Sequence, residues 1–419
     1  MIRRAAIAAA LAFGLTFAVL LLSGTADGPE PTAAGAPSGG STAARIARLT
    51  ATVRERPRDA GAHVSLADAY LQRARDLEDP RDYDRAEAAA ERALELKPGD
   101  AGALTERALV RAGKHDFRAA LADARAARAA APGVNKPFGV LVDALVELGR
   151  YRAAERALQR MIDRKPNLDG YARASYLREL RGDLRGAERA LRLAISAGGD
   201  ASASTAYVRA LAGDLQLVRG RPAAALREYR AALRIVPGHP KSTHGTGRAQ
   251  AALGRYAATV RTLRALVERV PAADHFVDLA HAERRIGRRA AARRHLREAL
   301  RLARTSGTLE GGVVVVEADL GDPERAVLLG RRLWRAAPSV GSAHALGWAL
   351  TRAGQPRAGL RWARRALRLG SRDPSFLFHA AVAASRSGRP GLERRLLRRA
   401  PSLSPWDCDR PQPSDVEDC

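Results

Sequence analysis

The chain is poor in cysteine, in aromatic residues and in lysine. Two cysteines in 419 residues exclude a disulfide-rich scaffold and cysteine-rich zinc modules. Aromatic residues make up 5 %, which argues against a single-strand nucleic-acid binder that stacks bases and against a β-rich fold. Only five of the 71 basic residues are lysine, so arginine carries almost all of the net charge of +26. Hydrophobic residues reach 46 %, which is enough for a substantial core.

The N-terminus combines a basic start with an apolar run. Arg3 and Arg4 precede the uncharged residues 5–22. This run is longer than the apolar core of about 7–15 residues in a cleaved signal peptide and close to the about 20 residues that span a membrane. For residues 1–26 the sequence therefore leaves a cleaved signal and an uncleaved anchor open. Both predict an extracytoplasmic protein, membrane-anchored or secreted, because the flanking arginines stay inside.

The segment after the apolar run has no hydrophobic period. Residues 27–43 (DGPEPTAAGAPSGGSTA) are rich in proline, glycine, serine and threonine. Such a composition cannot build a packed core and is typical of tethers. We therefore expect a flexible linker between the N-terminal segment and the folded body.

Glycine then recurs at a nearly constant interval, which is 33 or 34 residues in six of seven steps and 38 in the other. Between these glycines lie two stretches of helical period, and a proline often follows seventeen residues after the glycine. We expect the glycine to end a first helix in the left-handed conformation and the proline to end a second helix. The glycines are Gly149, Gly182, Gly220, Gly254, Gly287, Gly321, Gly354 and Gly388.

This punctuated period resembles the tetratricopeptide repeat (TPR). Leu66-Ala67-x-x-Tyr70 and Leu346-Gly347-x-x-Leu350 match the first-helix signature of that family. The resemblance covers residues 59–405 and implies an all-α, right-handed superhelical solenoid of about ten helix-turn-helix repeats. Residues 44–58 are expected to form a capping helix. Residues 311–316 (GGVVVV) would alone favour a buried strand, but the register of the repeats predicts a helix there.

The resemblance implies that a peptide or protein segment binds on the concave face, which TPR arrays build from the first helix of each repeat. In each repeat, the residues six and ten positions before the marker glycine should point toward the concave face. Neighbouring residues on the same side of the helix should do the same. The basic candidates could form charge-assisted hydrogen bonds to an acidic partner. The candidates are Tyr176, Tyr207, Lys241, His244, Arg248, His281, Arg284, His344 and Trp348.

Together, the N-terminal segment and the repeats predict a non-enzymatic protein–protein interaction scaffold of the bacterial cell envelope. A second hypothesis is an electrostatic binder of anionic cell-wall polymer or membrane surface, because residues 201–300 and 301–400 each have a net charge of about +12. Residues 284–294 and the helix face with Arg361, Arg364, Arg365 and Arg368 are the most basic parts. Nucleic acid is not expected as a partner of an exported protein. The oligomeric state stays open.

No catalytic or cofactor-binding motif is present. The sequence lacks G-x-S-x-G, H-E-x-x-H, Walker and Rossmann signatures. His239 and His244 are five residues apart, and Asp278 and His281 form a pair without further ligands, so we predict no metal site. Residues 244–247 (HGTG) resemble a glycine-rich phosphate-binding loop in composition. They are expected to lie inside a helix, so we do not expect them to bind phosphate. An enzyme is therefore not expected, and neither is a cofactor.

Both cysteines fall in the acidic tail, residues 406–419. In an oxidising compartment Cys408 and Cys419 could form an intramolecular disulfide. An intermolecular bond and free thiols remain open.

Overall fold

The computed structural model describes residues 42–77, 81–199 and 202–400. Within these ranges the protein is all-α, with twenty-one α-helices, one short 3₁₀-helix and no strand. This confirms the expected fold class. The predicted signal or anchor, nearly all of the linker, and the tail with Cys408 and Cys419 lie outside the described residues. Among the described helices, none has the length and apolar character needed to cross a membrane.

The described residues divide into two compact units, residues 42–173 and residues 174–400. In the first unit, helix α1 precedes three helix pairs. Its described helices are α1 (Thr42–Glu55), α2 (Ala60–Leu77), α3 (Arg81–Leu96), α4 (Ala101–Gly113), α5 (Phe117–Ala130), α6 (Lys136–Glu147) and α7 (Tyr151–Arg164). Helix α1 packs on α2 and buries Ile46 against Leu66 and Ala67. It occupies most of the segment for which a capping helix is expected.

The helix α8 (Leu168–Leu180) runs across the division, and the second unit continues the pattern of helix pairs. Consecutive helices pack against each other, as α10 does on α11 and α18 on α19. The helices that follow α8 are α9 (Leu184–Ala197), α10 (Ala203–Val218), α11 (Pro222–Ile235), α12 (Pro240–Ala252), α13 (Tyr256–Arg269), α14 (Ala273–Arg285), α15 (Arg289–Thr305), α16 (Gly311–Leu320), α17 (Pro323–Ala336), α18 (Val340–Arg352), α19 (Pro356–Ala366), the 3₁₀-helix η1 (Leu367–Leu369), α20 (Pro374–Arg386) and α21 (Pro390–Arg399).

The pairs from α2–α3 to α20–α21 number ten, as the period predicts. The valine-rich residues 311–316 are helical, so the register of the repeats outweighs their β propensity. Second helices end two residues before their proline, as α7 does before Pro166 and α13 before Pro271. The residue that precedes a proline is disfavoured in the helical conformation, which explains this constant offset.

Seven of the eight marker glycines have positive φ, from 67° at Gly149 to 80° at Gly287. Gly321 is the exception, with φ −121°, so the expected left-handed helix end is wrong at this position. There the Asp322 N–H donates to the Glu317 carboxylate at 3.1 Å, and Asp322 directly caps α17. In the α4–α5 turn a non-glycine residue, His115, takes the left-handed conformation, with φ 63°.

Two glycines of α12 make room for side chains from neighbouring helices. Tyr229 of α11 is fully buried, and a Cβ built on Gly245 would lie 2.3 Å from its ring. A Cβ on Gly247 would lie 2.5 Å from a methyl group of Leu263. The small residues of the HGTG stretch therefore serve close helix packing.

Because the tyrosine ring has no free space to move into, we expect Gly245→Ala to cost about 1–3 kcal/mol of stability through overpacking. The measurement is the urea midpoint of the full chain. Gly391→Ala is the matched control, since that helical glycine faces open space and should tolerate or gain from alanine. Equal midpoints for Gly245→Ala and the wild type would contradict the packing account.

Candidate functional site

In the second unit, charged side chains of three successive first helices lie on one face. Helix α12 contributes Lys241, His244 and Arg248, and α14 contributes Asp274 and Asp278. On each helix these residues are three, four or seven positions apart, which is the spacing of one helix face. Helix α10 adds Asp214 to the same face. We call Asp214, Lys241, His244, Arg248 and Asp278 the inner cluster.

The inner cluster alternates acids and bases. Lys241 Nζ lies 2.9 Å from Asp214 Oδ2, and His244 Nε2 lies 2.8 Å from Asp278 Oδ2. Arg248 stands between the two carboxylates, 4.0 Å from Asp214 and 3.9 Å from Asp278. Each cation therefore already has an anionic neighbour. Burial alone would raise the pKa of Asp214, but Lys241 and Arg248 outweigh it and hold that pKa below its ordinary value.

Two more carboxylates come close to this cluster. Burial, together with the charges of Asp373 and Asp214, raises the pKa of Glu179 to about 8. Burial also raises the pKa of Asp373, the N-cap of α20, to about 6. They approach each other because the turn after α8 meets the turn after η1, where a Cβ on Gly182 would lie 2.5 Å from the Gly370 carbonyl oxygen. The site thus carries more acid than base.

A second group of side chains joins α12 to the first turn of α14. His244, Asp274 and His275 offer ligand atoms that all lie within 4.8 Å of one another. Sequence reasoning missed this group because its members come from different repeats, so no local spacing marks it. The i, i+1 pair Asp274-His275 was the only local signal.

The other sequence candidates are not members of the inner cluster, although Tyr207 is near enough to Lys241 to interact with its charge. Tyr207 meets His239 edge-on at 6.4 Å between ring centroids, and Tyr176 and Arg284 are half-buried. His281 is buried. A role in ligand binding stays a prediction for all nine candidates, of which only Lys241, His244 and Arg248 join the inner cluster.

His344 and Trp348 belong to a buried aromatic stack. The Trp348 ring stacks on His379 at 3.8 Å, and its indole Nε1–H donates to Asp319 at 2.9 Å. His344 stacks on Phe376 and lies 2.6 Å from His379 through ring nitrogens. Trp348 is 2 % exposed and His344 3 %, so a ligand could reach them only if this stack opened.

The most basic stretches lie largely on second helices. Arg361, Arg364, Arg365 and Arg368 are exposed along α19 and η1. Arg288, at the start of α15, and Arg289 and Arg294 within it, are exposed as well. In the second unit the first helices are close to neutral in total and the second helices are basic, so the two faces present different charge to a partner.

Comparison with known proteins agrees with this repeat architecture. The family model described as tetratricopeptide repeat matches residues 43–101 and 211–274. A search of curated proteins returned no match. The human IFIT1 dimer with m7Gppp-AAAA is similar over 78 % of this chain and 77 % of its own, with 16 % sequence identity and a TM-score of 0.53.

Two further solved structures are similar to this chain. The human IFIT1 dimer with PPP-AAAA has 16 % identity and a TM-score of 0.52, covering 78 % of each chain. A tetratricopeptide repeat protein from Parabacteroides merdae has 14 % identity and a TM-score of 0.41, over 56 % of this chain and 93 % of its own. At such identities the likeness to IFIT1 shows the fold alone.

The raised pKa of Glu179 predicts a pH dependence of stability. The folded protein holds this proton up to about pH 8, whereas the unfolded chain loses it near 4.5. Stability should therefore fall as pH rises between these values, by at most about 1.4 kcal/mol per pH unit. Urea unfolding of the full chain at several pH values should show that Glu179→Gln weakens this fall.

Glu188→Gln is the matched control. Hydrogen bonds from Gln216 and Arg219 overcome burial and hold the pKa of Glu188 below its ordinary value. The stability of this variant should therefore fall above pH 4.5 as steeply as that of the wild type. Identical pH profiles for Glu179→Gln and the wild type would show that Glu179 is ionised in the folded protein.

Proposed function

We propose that the chain is a non-enzymatic interaction scaffold of the bacterial cell envelope, exported or anchored by residues 1–26. Its binding surface is the first-helix face of the second unit. The observation that carries this proposal is the inner cluster, where three successive hairpins aim charged side chains at one face. The match to the tetratricopeptide-repeat model supports a role in protein binding, and no motif in the sequence supports catalysis.

The partner segment is one that carries a basic side chain. Lys241 and Arg248 are already paired with carboxylates, so they offer little to an acidic partner. Burial raises the pKa of Asp373, and burial together with the charges of Asp373 and Asp214 raises the pKa of Glu179, so the charged forms of both side chains are disfavoured. A lysine or arginine placed beside them would favour their charged forms and gain charge-assisted hydrogen bonds.

RNA fits this face less well, although IFIT1 has been solved with m7Gppp-AAAA and PPP-AAAA. A triphosphate needs cations that are not neutralised by neighbouring carboxylates. On this face the carboxylates of Asp214 and Asp278 lie 2.9 to 4.0 Å from Lys241 and Arg248. Electrostatic repulsion would therefore oppose phosphate binding here.

The exposed arginines of α19 favour a second candidate function, the binding of anionic cell-wall polymer or a membrane surface. This binding would be steeply reduced by salt and indifferent to the sequence of the ligand. It would use the second-helix face instead of the inner cluster, so variants of the two faces separate the two functions.

The test is a capture experiment with tagged full-length protein and detergent-solubilised native envelopes. Washes are at physiological and about fourfold higher salt. We expect a stoichiometric protein to survive the high-salt wash on the wild type and to be lost with the double variant Glu179→Gln, Asp373→Asn. Asparagine can still cap α20, so this variant should fold.

The matched control is Arg361→Gln, Arg364→Gln, Arg368→Gln on the second-helix face. This triple variant should capture the same protein as the wild type. If capture instead depends on these arginines and is reversed by salt, the surface is a general anion binder and the proposal is wrong.

A further inference from the structure

His244, Asp274 and His275 converge from two consecutive hairpins. Their ligand atoms all lie within 4.8 Å of one another, with His244 Nδ1 3.8 Å from Asp274 Oδ2. The two imidazole rings meet edge to face, with 4.4 Å between centroids. Both histidines are buried, whereas the Asp274 side chain is 30 % exposed. The group is therefore closed on the histidine side and open on the carboxylate side.

Each of the three side chains is held by a further contact. A carboxylate only accepts hydrogen bonds, so His244 Nε2 donates to Asp278 Oδ2 at 2.8 Å and presents Nδ1 toward Asp274. By the same logic His275 Nδ1 donates to the Val270 carbonyl at 3.0 Å, so its ligand atom would be Nε2. The backbone N–H of His275 donates to Asp274 Oδ1 at 3.0 Å. Metal-binding side chains are commonly oriented by contacts of this kind.

The side chains around His244, Asp274 and His275 carry more negative than positive charge, which favours a bound cation. Asp278 and Asp214 offset Arg248 and Lys241. Asp274 Oδ2 lies 3.8 Å from His244 Nδ1, and Arg248 is near enough to interact with its charge. Asp278 Oδ1 is buried and lacks a hydrogen-bond partner among these residues. A cation between the imidazoles and the carboxylate would offset this excess of negative charge.

We propose that His244, Asp274 and His275 bind a zinc ion, with Asp278 as the positioning residue of His244. Two imidazole nitrogens and one carboxylate oxygen are a ligand set that zinc takes readily, with the fourth position left to water or a ligand atom. Tetrahedral zinc needs ligand atoms about 3.4 Å apart, so the separations, which reach at most 4.8 Å, must close by up to about 1.4 Å. Because Asp274 is partly exposed, the fourth position faces the first-helix surface.

This inference goes beyond the proposed function and does not depend on which segment binds. The test is calorimetric titration of Zn²⁺ into chelator-treated full-length protein. We expect one equivalent to bind, and Mg²⁺ and Ca²⁺ to give no such binding because hard cations prefer oxygen ligands. Bound zinc should also raise the melting temperature. Absence of Zn²⁺ binding would overturn the proposal.

Variants locate the site. Asp278→Asn should weaken zinc binding by about 10- to 100-fold, and Asp274→Asn or His275→Gln should weaken it further. His239→Asn is the matched control on the same helix, since asparagine can replace His239 as the cap of α12 and should leave affinity unchanged. Circular dichroism and melting without zinc check that each variant folds. Zinc binding that survives both Asp274→Asn and His275→Gln would place the ion elsewhere and contradict the assignment.

Discussion

The structure depends on one constraint, which is that a single helical hairpin cannot bury its own apolar faces. Each hairpin must pack against its neighbours, so its sequence is held to a fixed length and to small residues at close contacts. Gly245 and Gly247 show this requirement at α12, where neighbouring helices leave no space for a Cβ. In the second unit the same repetition places charged side chains of α10, α12 and α14 on a common face. The surface that we propose for binding is therefore a consequence of the way in which the array is stabilised.

On the first-helix face of the second unit, the charged side chains of the inner cluster form ion pairs with one another. Lys241 and Arg248 are paired with Asp214 and Asp278, while Glu179 and Asp373 remain as acids whose charged forms are disfavoured by burial. The strongly basic composition of the chain is found mostly on second helices such as α19. Overall charge therefore does not describe the charge of the first-helix face. For this reason we propose a basic partner segment, where the composition alone favoured an acidic one.

Much of the fold was predictable because its signals are local. Glycine and proline mark the helix ends. Counting back from Gly254 placed His244 and Arg248 on one helix face, with Lys241 on the same stripe, and their role in binding stays a prediction. Glu179 and Asp373 could not be paired from sequence, since they meet only where the Gly182 and Gly370 turns touch. The glycine spacing also selected Trp348 and His344. It could not show that these two side chains lie in a buried aromatic stack instead of on the surface. Contacts between distant repeats depend on how each hairpin is rotated relative to the one before it, summed over many hairpins. No local sequence pattern contains this information.

The central claim is that partners bind the first-helix face of residues 174–400. The most direct measurement introduces a photo-crosslinking amino acid at Tyr207 on this face, or at Arg364 on the second-helix face, in the full chain within native envelopes. Our account predicts a discrete crosslinked protein from position 207 and none from position 364. A crosslink formed only from position 364 would contradict it.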